Sequence, residues 1–186
     1  VILNLGDFLH FDSLSAVTPT NNHPLDADSR YSKVVKVAVR VLRYLIDTAL
    51  KRHKRVVVVI AEGNHDMATS VCLRHLFSIL YENEPRVKLI DQESPYIAYQ
   101  HGQTMLCFHH GHLSKKEQLP LLFAAQYAKM WGACTKRYAH CGHMHHVNEK
   151  EYNGIIVKQH AGSIEVDTVP GEFTEFRIIL PRKAAS

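Results

Sequence analysis

Val56-Val57-Val58-Val59-Ile60-Ala61-Glu62-Gly63-Asn64-His65-Asp66 is the stretch that decides the fold. Five β-branched residues in succession offer no polar side, so the strand is predicted to be buried on both faces, as a central parallel strand is. It stops at a glycine followed by an amide, an imidazole and a carboxylate. Open α/β sheets bind ligands at the carboxyl ends of such strands. Upstream, Val34, Val37, Val41, Leu45 and Ala49 recur every three or four residues and predict an amphipathic helix from Ser29 to Arg52, capped by Asp28 or Ser29. Lys51, Arg52, Lys54 and Arg55 crowd its end and read as dipole compensation on a solvated face. Val1-Ile2-Leu3-Asn4-Leu5 reads as another buried strand, and the polar stretch from Asp12 to Asp28 as a long functional loop.

Downstream, helices are predicted from Thr69 to Glu82 and from Lys116 to Trp131. Strands are predicted at Val87–Ile90, Tyr96–Gln100 and Thr104–Phe108, with His101-Gly102 turning the last pair into a hairpin. The tail adds strands at Arg137–Cys141, Ile155–Gln159 and Phe173–Leu180. Strand–helix alternation followed by a strand-rich tail argues for a layered α/β sandwich in a single domain over residues 1–186.

The composition, 46% hydrophobic and 22% charged over 186 residues, is globular and excludes a disordered or coiled-coil chain. The longest apolar run, Val56 to Ala61, is far too short to cross a bilayer, so no membrane partner is expected. A net charge of +4 is compatible with polyanionic substrates. Four cysteines without a C-x-x-C pair point to a reducing cytoplasm. The outlying figure is 14 histidines, which directs attention to metal or proton-transfer chemistry.

Those histidines are not scattered evenly. Asp7 follows the first strand, and Asn64, His65 and Asp66 follow the second. His109, His110 and His112 follow the strand ending at Phe108, and His143, His145 and His146 the strand ending near Cys141. A glycine (Gly6, Gly63, Gly111, Gly142) stands in each turn. Each turn alone could be an ordinary polar loop. Together they predict a metal site where successive strands end on the carboxyl edge of one sheet.

With Gly6-Asp7, Gly63-Asn64-His65-Asp66, His110-Gly111-His112 and Gly142-His143-Met144-His145 in this order, the chain resembles the calcineurin-like metallophosphoesterases. Glu82-Asn83-Glu84-Pro85-Arg86-Val87 and Phe108-His109-His110-Gly111-His112 are closest in flavour to phage-encoded members and DNA-repair nuclease relatives. The resemblance implies an α/β/β/α sandwich of two mixed sheets flanked by helices, and a pair of divalent ions. It implies Asp7 as the bridging carboxylate, one ion held with Asn64, His110 and His143, and the other with His145. The family's Asp-x-His element, which supplies the remaining ligands, is absent from the chain and is expected upstream of Val1.

Mixed imidazole and oxygen ligation suits manganese, iron, zinc or nickel better than calcium or magnesium, and manganese is the expectation. His65 is expected to act on the leaving group, with Asp66 orienting its imidazole. His112 and His146 are candidates for substrate contact. His109, by strand parity, is expected in the core, and His10 and Asp12 behind the ligands. Gly162-Ser163 resembles the turn that closes the site. The activity implied is hydrolysis of phosphate esters, phosphodiesters in nucleic acid ahead of phosphomonoesters in nucleotides or phosphoproteins. A binding module that kept the fold without catalysis is the reading from another class.

Overall fold

The computed structural model describes residues 1–19, 21–25 and 30–161, and the backbone of strands at 163–169 and 173–179. A small parallel sheet is built from β1 (Ile2–Asn4), β2 (Val56–Ile60) and β3 (Val87–Leu89), in that order. A five-stranded sheet holds β4 (Ile97–His101), β5 (Thr104–His109), β6 (Lys136–Cys141), β7 (Asn148–Tyr152) and β8 (Ile155–Gln159). Its order is β4-β5-β6-β8-β7, with β5, β6 and β8 mutually parallel and the edge strands antiparallel. β9 (Ser163–Val169) and β10 (Phe173–Ile179) pair with each other.

Side-chain alternation in β2 explains the layering. Val56, Val58 and Ile60 pack with Ala38, Leu42 and Ile46 of α1 (Tyr31–Leu50) and Leu73 and Phe77 of α2 (Met67–Leu80). Val59 and Ala61 face the other way, onto Ile97 and Phe108 of the large sheet. That sheet's far side, Met105, Cys107, Ala139 and Val157, is covered by Leu119 and Phe123 of α3 (Leu119–Gln126), with Met130 and Trp131 of α4 (Ala128–Ala133) alongside. The fold is the α/β/β/α sandwich, with one apolar layer between the sheets and one outside each.

Three elements differ from the sequence reading. The third helix is a 3-10 turn (Lys116–Gln118), then α3 and α4, broken at Tyr127. Tyr127 is out of helical geometry (φ −123°, ψ 43°), and its hydroxyl reaches the Tyr96 carbonyl at 2.6 Å. β7 was not anticipated, because its Asn-Glu-Lys-Glu-Tyr run is polar on both sides. Its usable signal was Asn153-Gly154, both at positive φ, the pair that tight hairpins require. β9 was likewise not anticipated. The expected caps of α1, Asp28 and Ser29, and the turn residue Gly162 lie outside the described residues. No described helix is long and apolar enough to cross a membrane.

The β1 and β2 exits touch back to back. A Cβ on Gly6 would stand 2.6 Å from the Gly63 nitrogen, and one on Gly63 would fall on the backbone nitrogen and Oδ1 of Asp7. Gly132, in α4, has open space around it. Gly63→Ala is therefore expected to destabilise the protein by about 1–3 kcal/mol. Gly132→Ala should leave it unchanged or stabilise it by up to about 1 kcal/mol. Denaturant unfolding of the two variants measures both signs.

Candidate metal centre

The ligand-type side chains come from two sheets rather than one edge. The β1 and β2 exits leave the small sheet, the β5 and β6 exits leave the large one, and Asp7 Oδ2 meets His110 Nε2 across them at 3.0 Å. The loops on the small-sheet side hang on Asp66. Its fully buried carboxylate accepts the backbone N–H groups of Asp7 (3.0 Å), Phe8 (2.7 Å), Leu9 (3.1 Å) and Gly63 (3.2 Å). Burial pushes the Asp66 carboxyl above its usual range, an effect reinforced by the charge of Asp7 and opposed by the amide donors.

Asp66 was expected to orient His65, and here the sequence reading is corrected. With four amides on the carboxylate, the His65 imidazole turns instead to the His10 carbonyl, Nδ1 at 3.2 Å. The His65 backbone N–H donates to Asp7 Oδ1 at 2.9 Å. Asp12 caps α2, accepting from the Ala68 and Thr69 amides at 2.6 and 2.8 Å.

His110 shows what the centre is built for. Its Nδ1 lies 2.7 Å from the Leu5 carbonyl oxygen. A carbonyl only accepts, so Nδ1 carries the hydrogen, and a neutral ring then presents its Nε2 lone pair. That lone pair faces two further acceptors, Asp7 Oδ2 at 3.0 Å and Asn64 Oδ1 at 3.1 Å. An imidazole lone pair and two oxygens facing one point suit a shared cation, either a proton or a metal ion. With a proton there, burial lowers the His110 pKa but the hydrogen bond and charge of Asp7 outweigh it, and the net shift is upward. Asp7 moves down, since burial is overcome by His110 and by the His65 amide.

His143 completes the group. Ligand atoms of Asp7, His110 and His143 lie within 4.8 Å of one another, and no other such group of three or more His, Cys, Asp or Glu occurs among the described residues. Burial and the His110 charge lower the His143 pKa, so its ring is neutral at neutral pH, the form that binds metal. Asp7, His143 and His145 all adopt left-handed backbone, at φ 52°, 69° and 50°. Non-glycine residues there cost about 1–3 kcal/mol each and are held by their surroundings. The donor set therefore fits a divalent ion, with Asp7, Asn64, His110 and His143 as the holding residues.

The remaining expectations divide. His112 sits 5.3 Å from His110 and 6.2 Å from His143, ring to ring, with both nitrogens buried and without a hydrogen-bond partner. His109 is in the core, Nδ1 on the Pro95 carbonyl, and burial lowers its pKa to about 4. His145 is exposed and stands outside the ligand group. His146 is exposed too, bonded to the Met144 carbonyl, and the structure does not bring it to the cluster. Sequence reasoning missed the pairing of His140 with His160 at 2.9 Å, whose signal was the parallel register of β6 and β8. It could not have found the Leu5 carbonyl, a backbone atom.

No family model and no curated protein matches the chain. Among solved structures it is similar to a conserved uncharacterized protein, a predicted phosphoesterase, from Streptococcus pneumoniae. That match has 11% identity and a TM-score of 0.32, over 76% of this chain and 91% of the other. It is similar also to a single mutant of Vps29 from Entamoeba histolytica, at 12% identity and a TM-score of 0.33, over 75% and 89%. Vacuolar Protein Sorting 29 from Cryptosporidium parvum gives 14% identity and a TM-score of 0.33, over 75% and 88%.

Asp7 raises the His110 pKa, so protons compete with metal for Nε2. Apparent manganese affinity, titrated calorimetrically, is expected to rise with pH through and above the ordinary histidine range. In His110→Ala the affinity should fall at least tenfold and its pH dependence should flatten.

Proposed function

We propose that this chain is a metal-dependent phosphoesterase of the calcineurin-like type, acting on phosphodiesters with two divalent ions, manganese foremost. The supporting observation is the His110 imidazole, pinned by Leu5 and aimed at Asp7 and Asn64 beside His143, an arrangement that calls for a cation. Asp7, Asn64, His110 and His143 would hold one ion, and Asp7 with His145 would contribute to a second. Bound divalent ions supply charge stabilisation on phosphoryl oxygens and acidify water. His112, with two unsatisfied nitrogens in the cluster, is the side chain placed to receive substrate oxygen.

His65 is the proposed proton donor. With Nδ1 donating to the His10 carbonyl, Nε2 is the atom that would hand a proton to the departing alkoxide, from the doubly protonated ring. Asp66 contributes by positioning Asp7 and is not placed on the reaction path. The four free thiols, three of them buried, fit the cytoplasmic setting we assign. One observation favours the alternative of a binding module without turnover: only one ligand group is assembled among the described residues.

His65→Ala should keep its metal and lose hydrolysis of an alkyl phosphodiester by about 100- to 10,000-fold. The loss should shrink for nitrophenyl esters, whose leaving group departs without a proton. Asn64→Ala should lower metal affinity and rate together. If parent and variants all bind manganese and none hydrolyses either ester, the module without turnover is the correct reading.

A further inference from the structure

We propose that the outward face of α1 and the loop after it form a docking track for the phosphate backbone of duplex nucleic acid, leading to the metal centre. This deepens the phosphodiester reading by naming its substrate class, and it rests on that reading only for the purpose of the track, not for binding.

Charge is the first ground. Residues 30–55 hold nine Lys or Arg and a single acid, Asp47, a local balance of +8 on a chain whose total is +4. The other residues are therefore net negative, and the basicity of the protein is concentrated in this one segment. Lys33, Lys36, Arg40, Arg43 and Lys51 recur at helical spacing on one side of α1, all exposed. Ala38, Leu42 and Ile46 are buried on the opposite side. The cations thus form a line along a helix of 20 residues, about 30 Å long.

Most of the line forms no ion pair among the described residues. Arg43 reaches Asp47 at 3.5 Å, but Lys36, Arg40, Lys51, Arg52, Lys54 and Arg55 have no carboxylate partner among the described residues. Compensation of the α1 dipole does not account for the cluster at its end. The last turn contains no basic residue, and the amides of Lys51, Arg52 and His53 bond the carbonyls of Thr48 and Ala49. Like charges three or four residues apart cost about 0.2–0.5 kcal/mol per pair, a repulsion that a bound polyanion removes.

Placement is the second ground. At the start of α1 the Tyr31 ring packs 5.7 Å from Phe11, and its hydroxyl meets Thr69 Oγ1, four residues beyond His65. At the other end a shallow depression is lined by Leu50, Lys51, Arg52, His53, Lys54 and Arg86. The track therefore runs from beside the candidate centre to the opposite edge of the small sheet. Duplex DNA presents a phosphate about every 1.7 Å of its axis on a stiff rod, a match to a straight line of fixed cations. A lipid surface is the poorer occupant, because the apolar side of α1 is spent on the core. Only Tyr44 (68% exposed) and Leu45 (44%) remain outward as large apolar side chains of this helix.

Anisotropy of a labelled 20-base-pair duplex, titrated with metal-free protein in chelator, tests the track without turnover. Affinity is expected to fall about 250-fold between 50 and 200 mM salt, a log–log slope of about −4. The double variants Lys36→Gln/Arg40→Gln and Lys51→Gln/Lys54→Gln should each weaken binding and flatten the slope by about 2. Arg40→Lys should keep the parent slope. All should keep the parent rate on a nitrophenyl ester, which also shows that they fold. Duplex binding unchanged in both double variants overturns the proposal, as does binding to phosphatidylserine vesicles in preference to duplex. Duplex binding as described with no ester hydrolysed by any form leaves the track standing and removes the phosphoesterase reading instead.

Discussion

Four backbone amides converging on one buried carboxylate hold this molecule's chemistry in place. Asp66 accepts from Asp7, Phe8, Leu9 and Gly63, and so ties the exit of β1 to the exit of β2 at the point where both leave the small sheet. Without it, four backbone donors, two of them buried, would lose a charged acceptor, and each such bond is worth about 1.5–3 kcal/mol. The glycines make the knot possible. Gly6 at φ 88° and Gly63 bring the two backbones closer than any side chain would permit. Arg74 secures the same turn from below, bonded to the Ile60 carbonyl and to Glu62.

Strain accumulates downstream of that knot. Asp7 is forced into left-handed backbone directly after Gly6, and His143 is in the same region after Gly142. The second loop has its own anchors: the Gly142 amide donates to the His110 carbonyl at 2.8 Å, and Gln159 Nε2 donates to the Gly142 carbonyl. Each loop thus holds a ligand in a conformation it would not choose alone. The two meet at His110, whose ring is fixed by the Leu5 carbonyl of the opposite sheet. The centre is an inter-sheet device, and the apolar layer of Val59, Ala61, Ile97 and Phe108 sets its width.

Electrostatics divide the same way. Burial and neighbouring rings lower the pKa of His109, His112 and His143, whereas Asp7 raises that of His110. The permanent positive charge lies elsewhere, along α1 and the loop to β2, where water screens it. The cluster of metal-type ligands and the row of exposed cations lie on separate parts of one sandwich.

Much of this was legible in the chain. The unbroken β-branched run Val56–Ile60 marked a strand buried on both faces, and the three-to-four spacing in α1 marked a helix with one buried side, because burial leaves its pattern in sequence. Asp7, Asn64, His110 and His143 were visible as ligand-type residues, since strand exits in α/β proteins point their side chains at one place. The polar edge strand β7, the break at Tyr127 and the amide-holding role of Asp66 were not, because each depends on a partner distant in sequence. His145 stands as the sharpest contrast: two residues from His143 and alike in type, it is left outside the ligand group by the turn that brings His143 in. Local sequence determined which elements form and which residues could bind a metal. Only the approach of two sheets, set by side chains tens of residues apart, decided which of them meet.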